Sequence, residues 1–145
     1  MFLGKFSCTI STKNRFSVPS AFREELGDRA YLTQGFDRNL QVLTDSAFQE
    51  IFRQIMSLNI ADPIARLLLR MILGSAHELQ TDSQTNLAIP AELKEFAGLR
   101  KDALLVGQGD YFEIWSPELW AQQEAELRNA GTNAGRFSAL TVATR

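Results

Sequence analysis

The sequence predicts an α+β protein made of two tandem copies of one β-rich module, with helices between and after them. Three observations carry that expectation. Residues Ser11 to Glu24, STKNRFSVPSAFRE, are echoed 71 residues later by DSQTNLAIPAELKE, Asp82 to Glu95. Both copies contain short runs in which apolar and polar residues alternate, the period of a half-buried strand. Between them the apolar residues switch to the 3.6-residue period of a helix. At 145 residues, with 45% hydrophobic and 22% charged residues, the chain has a globular composition and is long enough to bury a core.

Each element has a local reason. Phe6, Cys8 and Ile10 alternate with Ser7 and Thr9 as a strand, and Ser11 to Asn14 form a turn. Phe16 and Val18 then take the core face and leave Arg15 and Ser17 on the opposite one, because successive side chains of a strand alternate. Pro19, with no N–H to donate, ends the ladder. Ser20 is the expected N-cap of a short helix, Phe22 and Leu26 its i, i+4 apolar pair, and Gly27 its stop. Tyr31 to Thr33 and Leu40 to Leu43 are strands joined through Phe36-Asp37-Arg38-Asn39.

From Asp45 to Met56 the residues Ala47, Phe48, Ile51, Phe52, Ile55 and Met56 make a wide helical stripe. Asp62-Pro63 reads as N-cap and first residue of a second helix, apolar nearly all round from Ile64 to Leu73. Such a helix needs partners on several sides, another subunit included. In the second copy Leu93, Phe96 and Ala97 face inward, Gly98 is the stop, and Ala103 to Val106 and Tyr111 to Trp115 are strands across Gly107-Gln108-Gly109-Asp110. Ser116-Pro117 starts a last helix carrying Leu119 and Trp120, and beyond Arg128 the periodicity is lost, which predicts a flexible tail. The expected division is a first module at 1–50, a helical connector at 51–75, a second module at 76–127 and the tail at 128–145.

Catalytic and metal chemistry are not expected. One histidine, His77, and one cysteine, Cys8, fall short of a zinc ligand set, so neither metal nor cofactor is predicted. His77 lies in the alternating segment AHELQT as a surface or packing residue, and Cys8 in an inward strand position is a small core residue. No acid pairs visibly with a base or nucleophile, and Gly107-Gln108-Gly109 is too short for a nucleotide loop, so no enzyme is expected. The apolar stretch Ile64 to Leu73 is interrupted by Arg66 and Arg70 and falls short of the ~20 residues that span a bilayer. A lone cysteine fits a reducing cytoplasm.

Net charge is −2, mildly against a polyanionic partner, but the charge is polarised along the chain. Residues 1 to 23 hold Lys5, Lys13, Arg15 and Arg23 and no acid, whereas residues 81 to 125 hold three bases and eight acids. A local field decides where a polyanion docks, although a run of solvated charge is the plain alternative. Lys13-Asn14-Arg15 sits on the exposed side of a short hairpin, backed by Lys5 and Arg23. A two-stranded ribbon can enter a major groove, where an arginine such as Arg15 pairs with guanine O6 and N7. Lys13 suits a phosphate, and Asn14 tolerates the left-handed backbone of a turn. The competing reading has Arg15 paired with a local acid.

MFLGKF at the start, KNRFSVPSAFREEL, LLVGQGDYFEIW at 104 to 115 and the 71-residue spacing together resemble the MraZ family of transcriptional regulators, which carry tandem SpoVT-AbrB-type modules. The resemblance covers residues 1 to 125. It implies two AbrB-like swapped-hairpin elements forming one pseudo-symmetric β-barrel flanked by helices. It also implies a homo-oligomeric ring of eight or more subunits that binds double-stranded DNA at direct repeats upstream of its own division and cell wall operon. Repression is the expected sign of regulation, and the expected location is cytoplasmic and nucleoid-associated. The family motif is Asp, three residues, Arg, with Gly before the Arg. Here the first copy has Ser11 and Asn14 at the Asp and Gly positions and keeps Arg15. The second keeps Asp82, passes through Gln84, and has Thr85 and Asn86 at the Gly and Arg positions.

The resulting expectation is that the first module reads DNA through Arg15, with Lys13 and Lys5 on phosphates, while the second is mainly structural. Asp82 is expected to pair with Arg15 across the pseudo-twofold. The alternative is a ring-forming protein-interaction scaffold that has lost DNA binding; the eroded motifs favour it, and Arg15 with its acid-free surroundings opposes it.

Overall fold

The computed structural model describes residues 1–81 and 86–140. In chain order these form β1 (Lys5–Thr9), β2 (Arg15–Ser17), α1 (Ser20–Leu26), β3 (Arg29–Gln34), β4 (Leu40–Thr44), α2 (Asp45–Met56), α3 (Pro63–Ile72), β5 (His77–Gln80), β6 (Asn86–Ala88), α4 (Ala91–Phe96), β7 (Asp102–Gly107), β8 (Tyr111–Trp115), α5 (Pro117–Leu127) and α6 (Ala130–Ser138). The architecture is α+β with antiparallel strand pairing, as the alternation and the helical stripes predict.

Strand order shows how the two copies combine. The larger sheet runs β1-β7-β8-β4-β3-β5, and β2 pairs with β6 in a separate ribbon. Exchanging each strand for its counterpart in the other copy reverses the sheet order onto itself. The first strand of each copy therefore pairs with the third strand of the other, β1 with β7 and β5 with β3. The ribbon is centred on Phe16 opposite Leu87, two residues separated by the repeat spacing itself. Neither copy builds a sheet alone. Among the described residues no ladder joins β1 to β5; the ribbon is tied to the β1 end by a bridge between Ile10 and Phe16.

One core serves both copies. Phe22 of α1 is 1% exposed, and its ring centroid lies 5.2 Å from Phe2, 5.0 Å from Phe6 and 4.9 Å from Phe112 of β8. Phe16, Val18, Leu87, Ile89 and Leu93 complete the region beneath the ribbon. A smaller cluster joins Leu43, Ala47 and Phe48, with Tyr31 stacked on Phe48 at 4.1 Å. Cys8 is half-buried against the main core, where burial first and the nearby Asp102 carboxylate second push its thiol up to about 11.

Helix starts follow the sequence at three places and depart from it at two. Thr44 accepts from Ala47 N, Asp62 from Ile64 N ahead of Pro63, and Ser116 from Leu119 N. Ser20, however, is the first helical residue and not the cap. Pro19, held extended at φ −53° and ψ 144°, takes the N-cap position with no side-chain bond, and Pro90 does the same for α4. The second departure is α6, which forms where lost periodicity predicts a tail. Polar contacts build it: Asn129 accepts from Thr132 N, and the buried Asn133 donates to Glu126 O at 2.7 Å. The α3 helix buries Ala65 and Ile72 but leaves Ile64 70% and Leu67 61% exposed.

Candidate nucleic-acid interface

The ribbon gives the candidate site its geometry. Alternation buries Phe16 and Leu87 and turns Arg15, Ser17, Asn86 and Ala88 outward. The turn ahead of β2 is closed by Ser11, whose N–H donates to Arg15 O at 2.8 Å and whose carbonyl accepts from Asn14 N at 2.9 Å. The Ser11 hydroxyl accepts from Lys13 N at 3.3 Å and Arg15 N at 3.2 Å, so this side chain holds the turn through its backbone N–H groups. Asn14 has φ 59°, the left-handed conformation this turn requires and one that asparagine adopts at modest cost.

Asn14 also joins the two copies. Its carbonyl accepts from Ile89 N at 2.8 Å and its Oδ1 from Lys94 Nζ at 2.9 Å. Lys94 stands one repeat spacing after Arg23 and is not among the site residues the sequence predicts. The repeat itself marks it, because SVPSAFREELG and AIPAELKEFAG carry a basic residue at the same step. Arg15 Nη1 donates to the Asn86 carbonyl at 3.3 Å, and Ser17 Oγ donates to Asn86 Oδ1 at 2.9 Å. Ser7, Thr9, Lys13, Arg15, Ser17 and Asn86 line a groove beside these contacts.

The structure thus brings Lys13, Asn14, Arg15, Asn86 and Lys94 together. Lys5 and Arg23 take no part in those contacts: Lys5 Nζ lies 5.7 Å from the Trp120 ring centroid in a cation–π arrangement, and Arg23 is half-buried on α1. Asp82, Gln84 and Thr85 lie outside the described residues, and with them the expected Asp82 to Arg15 pair. Residues 11–19 and 86–90 carry no carboxylate, and a guanidinium and two ammonium groups gather there, with Glu92 and Glu95 flanking Lys94 on α4. A larger cleft, ≈ 980 Å³, lies elsewhere; its carboxylates, Glu25, Asp28, Asp45 and Asp110, outnumber Arg29 and the N-terminal ammonium, which disfavours a polyanion. Chemically, the ribbon offers bidentate and single-point donors for phosphates and base edges.

Comparison with protein families matches residues 1–71 and 72–140 in turn to the family described as MraZ protein, one match per repeat. A protein of Thermomicrobium roseum named Transcriptional regulator MraZ is 42% identical over 142 residues, covering 98% of this chain and 100% of the relative. Proteins of the same name from Roseiflexus castenholzii and Leuconostoc mesenteroides are 39% and 34% identical, covering 88% and 87% of this chain and 99% and 88% of their own lengths.

Proposed function

The chain belongs to the MraZ family, and on that premise we propose that it is a DNA-binding transcriptional regulator whose reading element is the β2–β6 ribbon. One observation carries the proposal. A chain of net charge −2 gathers Arg15 and Lys13 from one copy and Lys94 from the other at one ribbon whose described segments, residues 11–19 and 86–90, carry no carboxylate. A two-stranded ribbon fits the ~12 Å major groove of B-DNA. There Arg15 pairs with a guanine edge while Lys13 and Lys94 neutralise phosphates, with Lys5 and Arg23 adding to the field at the margin. The interleaved copies act as one pseudo-symmetric barrel, with the ribbon at one end; the Ile10 to Phe16 bridge and the shared core support that reading.

Assembly is part of the same proposal. Phe52, Met56, Ile60, Ile64 and Leu67, from α2, α3 and the link between them, are exposed apolar side chains that further copies of the chain would cover. A closed ring of eight or more subunits then places several ribbons on direct repeats upstream of the protein's own division and cell wall operon. Each contact gains from the effective concentration set by the others. Occupancy of those repeats represses transcription, on the nucleoid in the cytoplasm.

The test is a fluorescence-anisotropy titration of that upstream DNA against a scrambled duplex at several salt concentrations, with wild type and Arg15→Ala. Specific binding is expected, and the variant loses about 1–3 kcal/mol of discrimination. Lys13→Ala and Lys94→Ala each lower the log–log salt slope by roughly 0.9. If wild type shows no preference over scrambled DNA at any salt, regulation through DNA is refuted and the scaffold reading takes its place.

A further inference from the structure

The repeat puts Asn86 at the position equivalent to Arg15, so the outer face of the ribbon carries an arginine on one strand and an asparagine at the pseudo-twofold position on the other. Ser17 and Asn86 are directly opposed in the β2–β6 register, both exposed. The Ser17 hydroxyl donates to Asn86 Oδ1 at 2.9 Å, and Arg15 Nη1 donates to the Asn86 carbonyl at 3.3 Å. The first bond orients the carboxamide; the second ties Arg15 to the backbone of the same residue.

The capacity that remains is what a base reader requires. A carboxamide oxygen accepts two hydrogen bonds, so Oδ1 keeps one lone pair after the bond from Ser17, and Nδ2 donates to no acceptor among the described residues. One free acceptor and one free donor on a planar edge complement the N6 amino group and N7 of adenine, the pairing that asparagine makes in the major groove. A spacer residue would need neither the amide nor its orientation by Ser17.

We propose that Asn86 reads an adenine, positioned by Ser17, in the same box in which Arg15 reads a guanine. The proposal rests on the ribbon being the DNA-reading element, and it revises the expectation that the second copy is mainly structural. Its consequence is a box with polarity. A ribbon with the same residue at both pseudo-twofold positions would favour a palindrome, whereas arginine on one side and asparagine on the other read two different base pairs.

The experiment is a binding panel with the full chain. Every base pair of the box preferred by wild type is substituted in turn, and each duplex is titrated with wild type, Arg15→Ala, Asn86→Ala, Asn86→Asp, Ser17→Ala and Ser17→Thr, with a melting curve recorded for each variant. Wild type should lose about 5- to 150-fold at a guanine-bearing and at an adenine-bearing pair. Asn86→Ala should flatten the second preference and keep the first, and Arg15→Ala should do the reverse. Asn86→Asp should shift the second preference towards cytosine, whose N4 amino group an acceptor can receive. Ser17→Ala should weaken the adenine preference and Ser17→Thr restore it, a pattern that a loss of stability would not produce. An Asn86→Ala profile parallel to wild type at every base pair overturns the inference and leaves the regulator reading intact. A wild-type profile with no preference anywhere overturns both.

Discussion

Replacing Phe22 by alanine removes the ring that ties α1 of the first copy to β8 of the second. Phe22 is 1% exposed and lies within 5.2 Å, centroid to centroid, of Phe2, Phe6 and Phe112. Truncating a fully buried phenylalanine costs about 3–5 kcal/mol. Favourable ring pairs add about 0.5–1.5 kcal/mol each beyond the area they bury, so three partners place Phe22→Ala near the top of that range. With a urea dependence of about 2 kcal/mol per molar, a loss of about 4–5 kcal/mol lowers the unfolding midpoint by about 2 M. Phe6→Ala is the control: its ring is already 37% exposed, and a cost of about 1 kcal/mol is expected. The assay is urea unfolding at fixed subunit concentration, because assembly makes stability concentration-dependent. It is followed by tryptophan fluorescence and by far-ultraviolet circular dichroism. Trp115 lies in the second copy, so a variant of the first copy that shifts both signals together shows one cooperative core. A Phe22→Ala midpoint within about 0.5 M of wild type, with unchanged slope, would refute the claim that this aromatic cluster holds the copies together.

Asn14→Gly should keep the left-handed turn and lose only the Lys94 contact, whereas Asn14→Val also forces a β-branched residue into positive φ, a further cost of about 1–2 kcal/mol measurable by thermal melting, with weaker DNA binding. The double variant Ile64→Glu with Leu67→Glu should leave the fold intact and reduce the assembled mass in light scattering coupled to size exclusion, since both side chains are exposed. An unchanged mass would exclude this face from the contact. Cys8, its thiol raised from 9.0 to about 11, should react slowly with iodoacetamide at pH 8 compared with free cysteine, the rate climbing as pH approaches 11. Above pH 9 the unfolded chain loses this proton before the folded one, so the Cys8 contribution to stability falls as pH rises from 9 towards 11.

Much of the local structure is legible because its causes are local. Phe16 and Val18 alternate with Arg15 and Ser17, and the strand exposes Arg15 and Ser17 as that alternation requires. Asp62 and Ser116 precede prolines and cap their helices. Asn14 sits where a turn needs left-handed backbone, and adopts it. The misses have equally physical reasons. Ser20 is a good capping residue, but the extended geometry of Pro19 already supplies the boundary. The α6 helix buries Asn133 and no apolar side chain among its described residues, and Asn129 and Asn133 bond to backbone groups, contacts that periodicity does not register. Lys94 reaches Asn14 only because α4 and the first turn meet across the pseudo-twofold, 80 residues apart in sequence.

The repeat, the order and kind of most elements, the family, and the outward placement of Arg15 on a basic segment free of acids are all legible in the order of residues alone. Alternation, capping and proline geometry act over a few residues and leave their mark in the order of residues. Which strand pairs with which is set instead by contacts between distant parts of the chain. The alternation in β1 is compatible with a partner from either copy, and its pairing with β7 goes together with the long-range packing of Phe2, Phe22 and Phe112. That pairing brings β2 against β6, and so places Asn86 beside Ser17 and Arg15 on one surface, a proximity between residues about seventy positions apart that no local pattern encodes.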